Sequence, residues 1–150
     1  MIKKKNKMNK NNIGVSGEYF VAAELERRGF SATITMRNTE AFDILAINEE
    51  SGKQYCIQVK TYEKRSNKRL LSKKNERINK KDAFYIFVNL NTLDNPEYYI
   101  VPSKVVAESI KSSHEKWLKQ PEKNNIKHND NNMRQFIVDE KYKNKWDLLK

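Results

Sequence analysis

Apolar residues near the start of the chain recur at the spacing of an α-helix. They form one stripe with a single acidic member: Val15, Glu18, Val21, Ala22 and Leu25. A stripe of this kind is typical of a helix that packs on a core. Residues 14–17 predict a loop before this helix, with Ser16 as its N-cap, and Gly29 predicts its C-terminal end. The pattern therefore places the Glu18 carboxylate on the face that meets the core.

Five segments further along are rich in β-branched and aromatic residues, which predicts β-strands. They are residues 30–36, 42–47, 54–61, 83–90 and 98–101. Turn-forming residues at 48–52 join the second and third strands into a hairpin. The run at 83–90 is almost entirely apolar, which is typical of a strand buried on both faces, and the strand at 98–101 is expected beside it.

The remaining segments are mostly polar. Residues 62–82 are basic and predict a loop with little local structure. Apolar side chains recur at helical spacing from Ser103 to just before Pro121, which predicts a second helix. Residues 122–132 predict a solvated connection. Apolar residues return at 136–138 and near the C-terminus, so the last segment is expected to dock back onto the domain.

The order of these elements predicts one α/β domain. A chain of 150 residues is long enough for one hydrophobic core and short for two. We predict a basic disordered tail at residues 1–12, a core at residues 13–120, and a C-terminal extension at residues 121–150 that packs on the core. The sequence contains no internal repeat.

Basic residues outnumber acidic ones by 30 to 19, which gives a formal charge of +11 and an isoelectric point near 9.6. A surplus of this size favours a polyanionic partner such as nucleic acid. One cluster lies in the first ten residues: Lys3, Lys4, Lys5, Lys7 and Lys10. Asparagines alternate with these lysines where a membrane-bound helix would need apolar residues, so we interpret the cluster as a solubilising tail and expect no membrane contact.

Cysteine and histidine content limits the chemistry. Cys56 is the only cysteine, so no disulfide can form within the chain. The sequence shows no apolar segment of a signal peptide, and a cytoplasmic location is expected. His114 and His128 lie far from Cys56 in sequence, so the ligands of a structural zinc site are missing. A metal ion bound here should be a hard cation on oxygen ligands.

Polar residues of the predicted hairpin gather on one face. Asp43 opens one strand, and Gln58 and Lys60 lie on the next. Because side chains alternate along a strand, Gln58 and Lys60 share a face while Val59 points to the other. With Glu18 from the preceding helix, the sequence predicts a site with two carboxylates, an amide and an ammonium group.

This arrangement resembles the PD-(D/E)XK nuclease superfamily, which includes restriction enzymes and Holliday-junction resolvases. The shared features are a helical Glu, an Asp at a strand start, a hairpin and a (D/E)-x-K motif, represented here by Glu18, Asp43 and Gln58-Val59-Lys60. The motifs cover residues 14–62, and the element order extends the likeness to about residue 118. Phe42 stands where the family has proline, and Gln58 stands where it usually has a carboxylate. The resemblance implies a restriction-endonuclease-like core, with a central mixed β-sheet flanked by helices.

The resemblance also implies roles for these residues. Asp43 would bind Mg²⁺, with Mn²⁺ as a substitute, and the Gln58 amide oxygen and the backbone carbonyl of Ile57 or Val59 would be further ligands. Lys60 would orient the attacking water or stabilise charge on the phosphoryl group. Glu18 would hold a water molecule or a second ion. The implied activity is Mg²⁺-dependent hydrolysis of DNA phosphodiesters.

Basic residues and one asparagine on both sides of the motifs predict phosphate contacts, which fix position without reading sequence. They are Arg37, Asn38, Lys64, Arg65, Lys68, Arg69, Lys73 and Lys74. The alternative is a solvated loop. Tyrosines at predicted strand ends favour packing over base stacking.

Three functions follow from the sequence. The first is an active DNA endonuclease. The second, which Gln58 keeps open, is a weakly active or inactive domain of this fold that binds nucleic acid within a larger complex. The third is a protein-interaction module whose charge serves solubility. Many enzymes of this fold act as dimers, but the sequence identifies no dimer face, so a homodimer is left open.

Overall fold

A mixed five-stranded sheet forms the centre of the structure, which is a computed structural model describing residues 7–36, 42–121 and 124–150. The helices are α1 (Lys10–Glu26) and α2 (Ser103–Lys119). The strands are β1 (Phe30–Ile34), β2 (Ile44–Asn48), β3 (Gln54–Tyr62), β4 (Lys68–Ser72), β5 (Ala83–Asn89), β6 (Glu97–Pro102) and β7 (Met133–Ile137). Three 3₁₀ helices span Lys73–Arg77, Glu140–Tyr142 and Trp146–Leu149.

The strand order of the central sheet is β1-β2-β3-β5-β6. β3 and β5 are parallel, whereas the other neighbours pair antiparallel. The predicted β2–β3 hairpin is confirmed, and so are the buried strand β5, in which every residue is buried, and its neighbour β6. β4 and β7 form a separate antiparallel pair. The predicted fold class, a mixed sheet flanked by helices, is confirmed.

Two apolar cores cover the two faces of the sheet. On the first face, Val21 and Leu25 of α1 pack with Ile57 and Val59 of β3, and Trp146 near the C-terminus joins them. On the second face, apolar side chains of α2 and of the β4–β7 pair cover β5 and β6 through Val106, Ile110, Leu71, Phe136, Tyr85 and Phe87. The helices therefore lie on opposite faces of β3, which determines the direction from which each can approach a site on that strand.

Helix α1 begins earlier than the sequence predicts. Its N-cap is Asn9, whose side chain accepts a hydrogen bond from the Asn11 backbone at 2.9 Å. The predicted loop at residues 14–17 is wrong, and Ser16 lies inside the helix, where its hydroxyl donates to the Asn12 carbonyl at 2.6 Å. Residues 10–12 of the predicted tail are thus helical, and residues 1–6 lie outside the described part of the chain.

A close contact between α1 and β3 explains why a glycine stands within this helix. A Cβ atom on Gly17 would lie 1.8 Å from Oγ1 and 2.8 Å from Cβ of Thr61. Glycine is therefore required here for close packing and not for a turn. The buried stripe of α1 consists of Gly17, Val21 and Leu25, which leaves Glu18 half-buried beside it.

The contact predicts opposite effects for two glycines of the same helix. Gly17→Ala should lower the free energy of unfolding by about 1–3 kcal/mol, because Thr61 and its backbone must move. Gly14→Ala should raise it by up to about 1 kcal/mol, since no atom lies within 4 Å of a Cβ there and alanine favours helix. Urea unfolding of both variants measures the difference, and equal effects would contradict the contact.

Residues 62–82 contain more structure than predicted. They include β4 and the 3₁₀ helix Lys73–Arg77, and β4 pairs with β7 across more than 60 residues of sequence. The loop prediction failed because one of the inward-facing positions of β4 is occupied by a charged residue. Arg69 is fully buried, next to Leu71 in the alternating pattern of the strand.

Candidate active site

Asp43 lies immediately before β2, and its backbone is fixed on both sides. Its N–H donates to the Ile57 carbonyl at 2.9 Å, and its carbonyl accepts a hydrogen bond from the Thr35 N–H at 2.9 Å. Ile57 is the last residue of β3 that pairs with β2. From Gln58 onward, no strand in the described part of the chain lies along this side of β3.

The Asp43 carboxylate takes the place of the missing strand. Its Oδ2 accepts a hydrogen bond from the Val59 backbone N–H at 2.7 Å and another from Nε2 of Gln58 at 2.9 Å. An ionised carboxylate only accepts hydrogen bonds, so the Gln58 amide must turn its nitrogen towards Asp43. The half-buried carboxylate is thereby held in one orientation at the point where β2 and β3 separate.

Gln58 and Lys60 share one face of β3, as the alternation predicts. In the parallel register Gln58 lies opposite Tyr85 and Lys60 opposite Phe87, both of which belong to the core under α2. Val59 points the other way and is buried against α1. Both polar residues are half-buried and lie at the border of the second core.

The structure also separates two candidate carbonyl ligands. The Ile57 carbonyl already accepts a hydrogen bond from Asp43, so it belongs to the backbone ladder. The N–H and C=O groups of one strand residue point to the same neighbour. Because the Val59 N–H points to the Asp43 carboxylate, its carbonyl faces the same side, where β2 is absent. The Val59 carbonyl is therefore better placed than the Ile57 carbonyl to bind a cation.

Glu18 approaches from the other face of the sheet. It follows Gly17, which contacts Thr61, so α1 carries Glu18 to the C-terminal end of β3. The structure thus brings Asp43 and Gln58 into contact and places Lys60 beside them along β3. Glu18 can act together with these residues only if it reaches them around the open side of β3. This joint action stays a prediction.

A buried polar pair lies behind this site and was missed by the sequence analysis. Asn75 Nδ2 donates to the Tyr85 hydroxyl at 2.8 Å, and the Asn75 side-chain oxygen accepts hydrogen bonds from Ser72. Burial raises the pKa of Tyr85, the hydrogen bond with Asn75 opposes this shift, and the nearby Asp43 charge adds to it. Tyr85 lies within the apolar sequence of β5, so the sequence alone does not link it to the site. The link is its position opposite Gln58 in the parallel register.

The prediction that Arg69 contacts nucleic acid is wrong. Its side chain is 0% exposed, donates to the Asn89 amide oxygen at 2.6 Å, and lies over the rings of Tyr62 and Phe87 at 4.5 and 5.5 Å. Burial lowers its pKa to about 10. A guanidinium in this position holds β4 on the sheet and cannot reach a phosphate group.

The other predicted basic residues that the structure describes are exposed: Lys64, Arg65, Lys68, Lys73 and Lys74. Arg65 lies 3.5 Å from Glu97 and 3.7 Å from Glu140, and Lys73 lies 3.2 Å from Asp130. The Arg65–Glu140 and Lys73–Asp130 pairs are exposed on both sides, and exposed ion pairs contribute little stability, so these cations can exchange those partners. Arg37 and Asn38 lie outside the described residues.

The donor set suits a hard cation better than a soft one. It consists of oxygens: the Asp43 carboxylate, the Val59 carbonyl and, after rotation of its amide, Gln58. In the described residues no three His, Cys, Asp or Glu side chains form a cluster that could hold a metal ion. Mg²⁺ commonly binds through one or two carboxylates, waters and substrate phosphates, so a site with a single fixed carboxylate fits it.

Comparison with known proteins identifies the fold. No protein-family model and no curated protein matches the sequence. A Holliday junction resolvase of Archaeoglobus fulgidus, Hjc, has a similar structure, with a TM-score of 0.52, 15% sequence identity and a match over 86% of each chain. The chain thus has the restriction-endonuclease-like fold that the PD-(D/E)XK resemblance predicted. None of the described helices is long and apolar enough to cross a membrane.

Proposed function

We propose that this protein hydrolyses DNA phosphodiester bonds and requires Mg²⁺. The observation that carries the proposal is the Asp43 carboxylate, fixed by Gln58 and Val59 where β2 and β3 separate. In the PD-(D/E)XK resemblance Asp43 stands where the family has a metal-binding aspartate, and the similar fold of a resolvase supports this role. When bound, Mg²⁺ supplies charge that polarises a phosphodiester oxygen and helps to generate hydroxide near neutral pH.

Each residue then has a distinct task. Asp43 and the Val59 carbonyl bind the cation, and the two hydrogen bonds on Asp43 preset its orientation. Lys60 projects from the same face as Gln58, where its ammonium group orients the attacking water or stabilises negative charge on the phosphoryl oxygens. Glu18 holds a water molecule at the open side of β3.

DNA is the proposed substrate because of charge and fold together. The formal charge of +11 favours a polyanion, and the neighbour of similar fold is a Holliday junction resolvase. Branched DNA is therefore the first substrate to test, followed by duplex and single-stranded DNA.

A second candidate is a DNA-binding protein with little or no cleavage activity. It is favoured by the Gln58 amide, which donates to Asp43 and so turns its nitrogen, not its oxygen, towards the carboxylate. A neutral residue at this position also leaves the cation with one fewer negative ligand than a (D/E)-x-K motif provides. Both candidates require DNA binding, and they differ in the response of Gln58 to substitution.

Both candidates predict that DNA affinity falls steeply as salt rises, because phosphate contacts release counterions. Replacing Lys73 and Lys74 by alanine should reduce the slope of log affinity against log salt by about one for each lost contact. The matched control replaces Lys53 and Lys150, two exposed lysines near the hairpin end of β3. Fluorescence anisotropy in EDTA measures both slopes. An affinity independent of salt would favour the protein-interaction module.

A further inference from the structure

A basic groove lies at the C-terminal end of β3, next to the candidate active site. It has a volume of ≈ 460 Å³ and is lined by Lys10 and Ile13 of α1 and by residues 61–66. The residue before this lining segment is Lys60. The groove therefore begins one residue after Lys60, at the C-terminal end of β3, and its α1 wall lies on the other face of the sheet.

The geometry of α1 explains why Lys10 lies in this groove. Lys10 and Gly17 are seven residues apart, which is about two helical turns, so they share one face of the helix. Gly17 contacts Thr61, and the N-terminal turns of α1 consequently extend along the chain that follows Thr61. Lys10 is the last lysine of the N-terminal cluster, which the sequence analysis interpreted as a solubilising tail.

The opposite wall of the groove is held by backbone and side-chain hydrogen bonds. The Tyr62 carbonyl accepts from the Leu90 N–H at 2.9 Å, and the Glu63 carbonyl accepts from the Thr92 N–H at 2.8 Å. The Tyr62 hydroxyl accepts a hydrogen bond from the Leu70 N–H at 3.0 Å. These bonds fix the segment that carries Lys64, so the groove exists before a ligand arrives.

Positive charge dominates the lining. Lys10, Lys64 and Arg65 contribute cations, and Glu63 contributes one carboxylate. The charge of Arg65 is partly neutralised by ion pairs, since its guanidinium lies within 4 Å of Glu97 and Glu140. Lys10 and Lys64 are exposed, and with them the groove suits an anion that passes through it without being enclosed.

We propose that this groove binds a backbone phosphate of the DNA strand that is cut, one or two nucleotides from the scissile bond. The inference rests on the proposed function and names Lys10 and Lys64 as the phosphate ligands. Lys60 directly precedes the lining segment, so a strand held at Lys60 can place a neighbouring phosphate in the groove at the C-terminal end of β3. Contacts of this type position the strand and read no bases.

The first test is the double variant Lys10→Ala/Lys64→Ala, with Lys53→Ala/Lys150→Ala as a matched control that removes the same number of exposed lysines. Both changes remove exposed lysines, so thermal melting should show an unchanged fold. In EDTA, the double variant should bind a four-way DNA junction about tenfold more weakly than wild type, whereas the control should stay within about twofold. Lys10→Arg/Lys64→Arg should restore most of the affinity, because it retains the charge.

The second test locates the phosphate. Junctions carrying a single neutral methylphosphonate, placed in turn at each phosphate near the cleavage position, should weaken wild-type binding at several places. At one or two adjacent positions the same replacement should have no further effect on the double variant, since ligand and phosphate belong to one interaction. Additive losses at every position, or a control as weak as the double variant, would overturn the groove assignment.

The outcomes distinguish this inference from the proposed function. Wild-type protein that binds and cuts DNA, together with an unaffected double variant, would refute the groove and leave the function standing. Wild-type protein that binds no DNA of any structure would refute both.

Discussion

Asp43→Asn should reduce Mg²⁺-dependent cleavage of DNA by at least about a hundredfold and leave DNA affinity in EDTA unchanged. The asparagine side chain retains an oxygen that can accept the Val59 N–H, so the local backbone should keep its position. It lacks the charge that holds a cation. Because phosphate contacts come from lysines elsewhere, binding does not depend on this carboxylate.

The alanine variant separates catalysis from folding. Asp43→Ala leaves the Val59 N–H without its acceptor, which should lower the free energy of unfolding by about 1–3 kcal/mol in addition to abolishing cleavage. Asp147→Ala, at an exposed aspartate, is the control for loss of a carboxylate. Nicking of supercoiled plasmid and cutting of a labelled four-way junction measure activity over a Mg²⁺ and Mn²⁺ titration. Full activity of Asp43→Asn would refute the assigned site.

Gln58→Glu should make the stability of the protein strongly dependent on Mg²⁺. Its carboxylate would replace an amide whose nitrogen lies 2.9 Å from Asp43, so two like charges would face each other in the absence of metal. We expect a lower melting temperature than wild type in EDTA. A cation held by these residues would remove the repulsion, and Mg²⁺ at about 100 times its dissociation constant should stabilise the variant by about 2.7 kcal/mol.

The activity of the same variant decides between the two candidate functions. If wild type cleaves DNA, Gln58→Glu should preserve or raise the rate at low Mg²⁺. If wild type binds DNA without cleaving it and Gln58→Glu gains activity, the natural protein is a binding protein on a nuclease fold. Gln58→Ala controls for loss of the amide hydrogen bond. Absence of any Mg²⁺-dependent shift in the melting temperature of Gln58→Glu would show that no cation binds here.

The site could be predicted from the sequence where it depends on strand geometry. Alternation along β3 places Gln58 and Lys60 together, and the length of the hairpin brings Asp43 beside them. The contribution of Tyr85 could not be predicted, because an aromatic residue in an apolar strand resembles any other core residue. Its relation to the site depends on the parallel pairing of β3 with β5, a contact between strands separated by more than twenty residues.

The parts of the fold that were not predicted depend on tertiary contacts that override local preference. Gly17 disfavours a helix by its intrinsic propensity, yet the contact with Thr61 requires it there. β4 could not be predicted, because Arg69 places a charged residue at an inward position and so interrupts the alternation of apolar and polar residues expected of a strand. Asn89 accepts one hydrogen bond from its guanidinium and two aromatic rings pack against it, although Nε and Nη1 have no hydrogen-bond partner among the described residues.

The structural role of Asp43 affects what can be concluded when a related protein has an aspartate at this position. A related protein without catalytic activity would still gain stability from the hydrogen bond between this carboxylate and the Val59 N–H. Selection for folding alone could therefore retain the aspartate long after selection for chemistry had ended. The Lys60 side chain makes no such hydrogen bond in the described part of the structure, so under the proposed function the lysine would be lost first. Under the proposed function, a lysine at this position is therefore the better sign of retained catalysis, and the aspartate the better sign of a shared fold.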